Sequence, residues 1–162
     1  MMKASDTIIK RIKEFEGFSA KPYRDSAGVL TIGYGTTKDA DKYNTISKAQ
    51  ADLLLRRDLA AFEDQLNNYI AARGYELTQN QFDALLSFIY NVGSIKPNSG
   101  LDKALRSGRP KVVAANLQRY VYAGGQKLAG LVKRRNYEAM LFATAPADIG
   151  KALLAALGLL QF

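Results

Sequence analysis

The sequence predicts an α+β fold, predominantly α-helical, in which a small N-terminal lobe with a short antiparallel β-sheet and a helical C-terminal lobe flank a cleft. Three observations predict it. Turn residues and period-two alternation are confined to one early stretch, Lys21 to Tyr34; two capping-box signatures, at Ser47 and Thr78, then open long helical runs; and no convincing strand follows Tyr43. At 162 residues the chain has the size of one domain and is long enough to bury a core.

Taken in order, Ile8, Ile9, Ile12 and Phe15 recur at helical spacing after Ser5, and Gly17 is a natural stop, so a short helix is expected over 6–16. Within "KPYRDSAGVLTIGYG", Pro22 and the cluster Asp25-Ser26-Ala27-Gly28 read as turns. Leu30, Ile32 and Tyr34 then alternate with Val29, Thr31 and Gly33, which puts Thr31 on the opposite sheet face from Leu30 and Ile32. The helix opened by Ser47 carries Leu54, Leu55, Leu59, Phe62, Leu66 and Tyr69 on one side, and its length suits a connection between lobes. The helix opened by Thr78 shows a wide apolar face, Phe82, Leu85, Leu86, Ile89 and Val92, ending at Gly93; it is expected to be buried. Further helices are expected over 99–107, from Pro110 to the Gly124-Gly125 break, and over 130–143.

The last stretch, "APADIGKALLAALGLLQF", places Leu153, Leu157 and Leu160 on one helical face, with Leu154, Leu159 and Phe162 around the rest. It is shorter in apolar length than the roughly 20 residues that span a bilayer. Packing on the body and contact with a membrane or partner both fit it.

Composition narrows the chemistry. With 48% hydrophobic and 23% charged residues the chain is neither disordered nor low in complexity. It has no cysteine, which excludes disulfides, a thiolate nucleophile and zinc–thiolate sites. It also has no histidine, so acid–base work near neutral pH falls to carboxylates, lysines or tyrosines. The formal charge of +8 predicts attraction to a polyanion: nucleic acid, an anionic membrane or an acidic cell-wall polymer. The start, "MMKASDTIIKRIKEF", lacks the apolar core of a secretory signal, so a cytoplasmic location is expected first.

Three polar residues stand out in "FEGFSAKPYRDSAGVLTIGYGTT". Glu16 falls four residues after Ile12, on the apolar side of its helix, and in the last turn, where the helix dipole is negative; both effects favour the neutral acid. A solvated helix-end glutamate is the plainer reading. Asp25 opens a glycine-containing turn, where aspartate commonly bonds the backbone, yet in a wet turn it would stay ionised opposite a protonated glutamate. Thr31 suits a strand by propensity, which is the plainer reading, and its hydroxyl could hold a water. A neutral and an ionised carboxyl group flanking one bond are what glycoside cleavage needs.

The order and spacing of "FEG", "YRD" and "LTIGYG" resemble the catalytic segment of phage-type lysozymes, the endolysin muramidases. The likeness extends through "QNQFDALLSFIYNVGS", Gly124-Gly125 and "GLVKRRNYEAMLF", from about Ile8 to Phe142. It implies one lysozyme-like domain over 1–162: an N-terminal lobe over 1–60 with the catalytic helix and β-hairpin, a helical lobe over 61–145, and an apolar helix over 146–162. It also implies roles. Glu16 would donate the proton to the glycosidic oxygen, Asp25 would orient the attacking water or steady the oxocarbenium-like centre, and Thr31 would help place that water. Tyr34, Tyr120 and Arg134 would line the substrate, with Arg134 or Arg135 pairing with Glu16 unless both lie on a solvated helix face. The substrate would be peptidoglycan, cut at the β-1,4 bond between N-acetylmuramic acid and N-acetylglucosamine with inversion, without metal or cofactor. Such an enzyme would be a monomer, would wait in the host cytoplasm and would reach the wall through holin lesions. Where relatives read glycine-histidine-threonine after "TIGY", this chain has Gly35-Thr36-Thr37, and it has no tryptophan.

Two rivals follow from the same residues. A lytic transglycosylase needs the glutamate alone, and Asp25 with Thr31 argues for hydrolysis instead. A basic binding protein for nucleic acid or membrane is suggested by the charge, but the cations are dispersed and no nucleic-acid motif appears.

Overall fold

The computed structural model describes residues 1–25 and 27–144, so the expectations for the stretch beyond Thr144 lie outside the described residues. Two compact units divide the chain, Lys3–Ala72 and a second that begins at Arg73.

The first unit opens with α1, Asp6–Glu16, and the reasons it starts and stops there are local. Ser5 is extended and its hydroxyl accepts the Ile8 N–H at 3.2 Å, while Asp6 places negative charge in the first turn. At the other end Gly17 takes a φ of +70° and returns its N–H to the Lys13 carbonyl at 3.0 Å. Ile8, Ile9 and Ile12 are buried. Strands β1, Ser19–Arg24, and β2, Leu30–Gly33, pair antiparallel, with Tyr23 opposite Thr31 and Arg24 opposite Leu30. Pro22 lies inside β1, contrary to its reading as a turn residue. The register slips between Ser19 and Tyr23, and a residue without an N–H is tolerated where the ladder is already broken.

After β2 the chain doubles back, Ile32 and Thr36 exchanging backbone hydrogen bonds of 2.8 and 3.0 Å, and makes a 3-10 turn, Ala40–Lys42. The long helix α2, Lys48–Ala71, starts at the expected capping box: Ser47 Oγ accepts the Gln50 N–H at 3.2 Å, and Gln50 Oε1 accepts the Ser47 N–H at 2.8 Å. Leu54, Leu55, Leu59 and Leu66 are buried. Gly33 lets β2 approach this helix, since a Cβ there would sit 3.2 Å from the Ala51 Cβ.

The second unit is built on α3, Gln79–Val92, α4, Gly100–Arg106, α5, Pro110–Leu117, and α6, Ala129–Ala143. Helix α6 packs on α3 and α5, and α5 packs on α4. Thr78 and Gln81 form the second capping box, and Phe82, Leu85, Leu86 and Ile89 are buried as their spacing predicts. Val92 is 42% exposed instead, because it is the last helical residue before Gly93 turns the chain away. Two further expectations are corrected. The helix from Pro110 stops at Leu117, and strands do follow Tyr43: β3, Tyr122–Ala123, pairs with β4, Gln126–Lys127. Strands of two residues are too short to show alternation, and Gly124 and Gly125, both at positive φ, make the tight hairpin turn between them.

Candidate functional site

The first unit brings Glu16, Asp25 and Thr31 onto α1 and the β1–β2 hairpin. Glu16 ends α1 and is half-buried. Its carboxylate lies against the backbone of Gly35, where an added Cβ would stand 3.0 Å from Oε2. Gly35 has a φ of +87°, so the strained conformation and the close approach both call for glycine.

Asp25 holds the hairpin turn. Its Oδ1 accepts the N–H groups of Ala27 at 2.9 Å and Val29 at 2.8 Å, and its own N–H donates to the Val29 carbonyl at 3.0 Å. Its other carboxylate oxygen has no protein donor among the described residues. The structural and chemical readings of this aspartate therefore coexist, one oxygen fixing the loop and the other left for solvent. Thr31 is buried and its Oγ1 donates to the Val29 carbonyl at 3.0 Å. With that hydrogen committed, the hydroxyl has lone pairs to accept a hydrogen from water.

A residue that sequence reading passed over ties the carboxylates together. Tyr23 lies directly across the sheet from Thr31, and its phenol is pushed above the ordinary tyrosine value by partial burial, then by the negative charge of Glu16, then by that of Asp25. One hydroxyl thus feels both carboxylates. In the sequence its one signal is its place two residues before Asp25 in "YRD".

The other expected substrate residues are spread over both units. In the first, Tyr34 is buried, with Phe18 at 5.5 Å between ring centroids and the Lys13 ammonium 5.4 Å from its ring. In the second, Tyr120 is half-buried and meets the Phe88 ring edge-on at 4.9 Å. Arg134 and Arg135 are 3% and 0% exposed, which removes the solvated-face reading for both. Arg134 donates to Glu138 Oε1 at 3.2 Å and to the Ser87 carbonyl at 2.8 Å. Arg135 donates to the Tyr120 carbonyl at 3.1 Å and also bonds Glu138 and Asn91. Buried Glu138 is a counter-charge to both arginines that sequence reading missed.

The residue after Gly35 is Thr36, and it is buried. Thr36 Oγ1 donates to Asp58 Oδ2 at 2.7 Å, and Arg57 donates to Asp58 Oδ1 through Nε and Nη2 at 3.0 and 2.8 Å. Arg57 Nη1 continues to Asp39 Oδ2 at 3.4 Å. This joins the return of the hairpin to α2. Among the described residues no group of three or more acidic side chains is placed to hold a metal ion, and no helix is long and apolar enough to cross a membrane.

Comparison with known proteins fits this frame. The family description for phage lysozyme matches residues 13–138, which includes Glu16, Asp25, Thr31 and the buried arginines. The chain belongs to the phage lysozyme family. It is 40% identical to an endolysin of Bacillus phage PZA over 87% of its own length and 55% of the relative's, so it spans about half of that protein. It is 40% identical to a SAR-endolysin of Bacteriophage PS119, covering 76% of this chain and 73% of that one. Among solved structures, the muramidase domain of SpmX from Asticaccaulis excentricus superposes with a TM-score of 0.78 at 34% identity, over 90% of this chain and all (100%) of that domain.

Proposed function

We propose that this chain is an endolysin muramidase that hydrolyses the β-1,4 bond between N-acetylmuramic acid and N-acetylglucosamine in bacterial peptidoglycan. The observation that carries the proposal is the placement of Glu16 at the end of α1 with its carboxylate against Gly35, and of Asp25 and Thr31 on the β1–β2 hairpin of the same unit, within a chain of the phage lysozyme family. Glu16, half-buried at the end of a helix, is the proton donor to the leaving oxygen. Asp25 offers its other carboxylate oxygen to the attacking water or to the cationic sugar centre. Thr31, its hydrogen already given to Val29, accepts from that water and leaves the water's lone pair for attack. Water attack opposite the leaving group gives inversion.

The net charge of +8 suits a wall whose peptides and envelope are anionic. In this reading the protein works as a monomer without cofactor, accumulates in the host cytoplasm and acts in the periplasm after holins open the inner membrane.

Glu16→Gln keeps the shape of the side chain and removes its proton. Assayed on purified sacculi, it is expected to lower turnover by at least a thousandfold while the circular dichroism spectrum stays the same; wild-type turnover by this variant would overturn the mechanism. Mass spectrometry of the wild-type digest is expected to give reducing muramic ends. Anhydro ends, lighter by one water, would make the enzyme a lytic transglycosylase.

A further inference from the structure

The cations of this chain are dispersed along it, but the acids are not. From Lys103 to Tyr137 the sequence carries nine of the 23 cations and none of the 15 acids, so the net charge of +8 arises in this stretch and the rest of the chain comes out nearly neutral. The stretch lies in the second unit. Arg134 and Arg135 are buried against Glu138, and Arg106 is tied to Asp102. Lys111, Arg119 and Lys133 are exposed and make no ion pair among the described residues.

Two helices bring these three cations onto one face. Lys111 and Gln118 are seven residues apart, two turns along the same side of α5, with exposed Ala115 between them. On α6, Lys133, Asn136 and Met140 form the corresponding exposed stripe. Helix α5 packs on α6, and Gln118 Nε2 donates to Asn136 Oδ1 at 3.0 Å, which joins the stripes edge to edge. Arg119 follows Gln118 directly and Lys133 stands one turn before Asn136, so both flank that bond. Glu138 is the one acid on either helix, and it is buried.

The composition of the face selects its occupant. Neither stripe carries an aromatic ring on which bases would stack. Met140 is the one large apolar side chain, well short of the leucine and aromatic face by which helices enter lipid. Lysines outnumber arginine, whose fork is the better match for phosphate. Mobile point charges set among small apolar residues suit carboxylates carried on a flexible, alanine-rich peptide. Resting on the muramidase reading, we infer that the α5–α6 face binds the acidic peptide stems of the same peptidoglycan. The face tethers the enzyme to peptide-bearing strands while Glu16 and Asp25 act on the glycan.

Co-sedimentation with purified sacculi separates binding from catalysis. In the Glu16→Gln background, Lys111→Gln with Arg119→Gln and Lys133→Gln is expected to weaken binding about tenfold at low salt. With Glu16 in place, the same three substitutions are expected to raise KM on sacculi by that factor and to leave kcat unchanged. On glycan strands stripped of peptide by an amidase, KM is expected not to move. Lys10→Gln with Lys38→Gln and Lys96→Gln removes as much charge from other exposed positions and is expected to leave binding as it was. Unweakened binding by the first triple variant, equal weakening by both, or an equal rise of KM on stripped strands overturns the proposal. Retention on phosphatidylglycerol vesicles or duplex DNA that the first triple variant abolishes, with sacculus binding intact, assigns the face to lipid or nucleic acid and overturns it as well. A wild-type chain that leaves sacculi uncut refutes the muramidase reading instead, and the binding comparison still decides the face.

Discussion

Glu16 and Gly35 are packed so closely that a single methyl group on the glycine would stand 3.0 Å from a carboxylate oxygen. At a φ of +87° that methyl would also strain the backbone. Gly35→Ala is therefore expected to cost about 1–3 kcal/mol of stability in urea denaturation. It is also expected to cut turnover on sacculi by up to about a hundredfold, because a shift of about 1 Å in a reacting group has consequences of that size. Wild-type turnover would mean that the position of Glu16 is not set by this contact.

The double duty of Asp25 separates two substitutions. An asparagine in its place would keep an oxygen for the N–H groups of Ala27 and Val29, whereas an alanine would leave both without their acceptor. Asp25→Asn should lose activity at nearly native stability, and Asp25→Ala should lose activity and about 1–2 kcal/mol as well. Equal melting temperatures for the two variants would show that the Asx turn contributes nothing.

Tyr23 reports on both carboxylates at once. Because negative charge raises its phenol, neutralising either neighbour must move its titration down toward the ordinary tyrosine value, and Glu16→Gln should move it further than Asp25→Asn. Carbon-13 NMR of the labelled tyrosine ring measures this directly. A titration unmoved by both variants would put the two acids outside a common site.

Acid sensitivity should appear at the other end of the hairpin. Asp39 is held below the usual carboxylate range, first by its hydrogen bond from Lys42 and then by the charges of Lys42, Arg57 and Lys38. A carboxylate lowered in the folded state gives stability that is present above its unfolded value of 3.8 and is lost as pH falls through the folded value. Lys42, raised by the same partner, contributes below 10.5 and loses that contribution as pH rises through its own folded value. Lys42→Met should raise the Asp39 midpoint in an NMR titration and make the loss of stability on acidification shallower. An unmoved midpoint would refute the pairing.

How much of this was legible beforehand depends on the range of the interaction. Residues that act within a turn or two announced themselves: Ser5 and Gly17 bound α1, and the capping boxes at Ser47 and Thr78 form as read. So did the burial of Ile8, Ile12, Leu85 and Leu86, which follows from periodicity. The hairpin at Gly124-Gly125 stayed hidden because two-residue strands have no period. The buried arginines stayed hidden because their acceptors lie far away in sequence, Ser87 and Asn91 on α3 and the Tyr120 carbonyl, and because Glu138 looks like any helix glutamate until α6 meets α3. Glu16, Asp25 and Thr31 were suggested by resemblance, whereas the partner each one uses, Gly35, Val29 or Tyr23, required coordinates.

The tie between Thr36 and Asp58 has a further consequence. A threonine hydroxyl neither gains nor loses charge at any pH a bacterium tolerates, unlike an imidazole in the same place, which would switch near neutrality. On the donor side, then, the link that fastens the hairpin's return to α2 is a passive mechanical part with no acidity gauge built in. The donor's half of that joint therefore stays the same as the acidity around the protein changes.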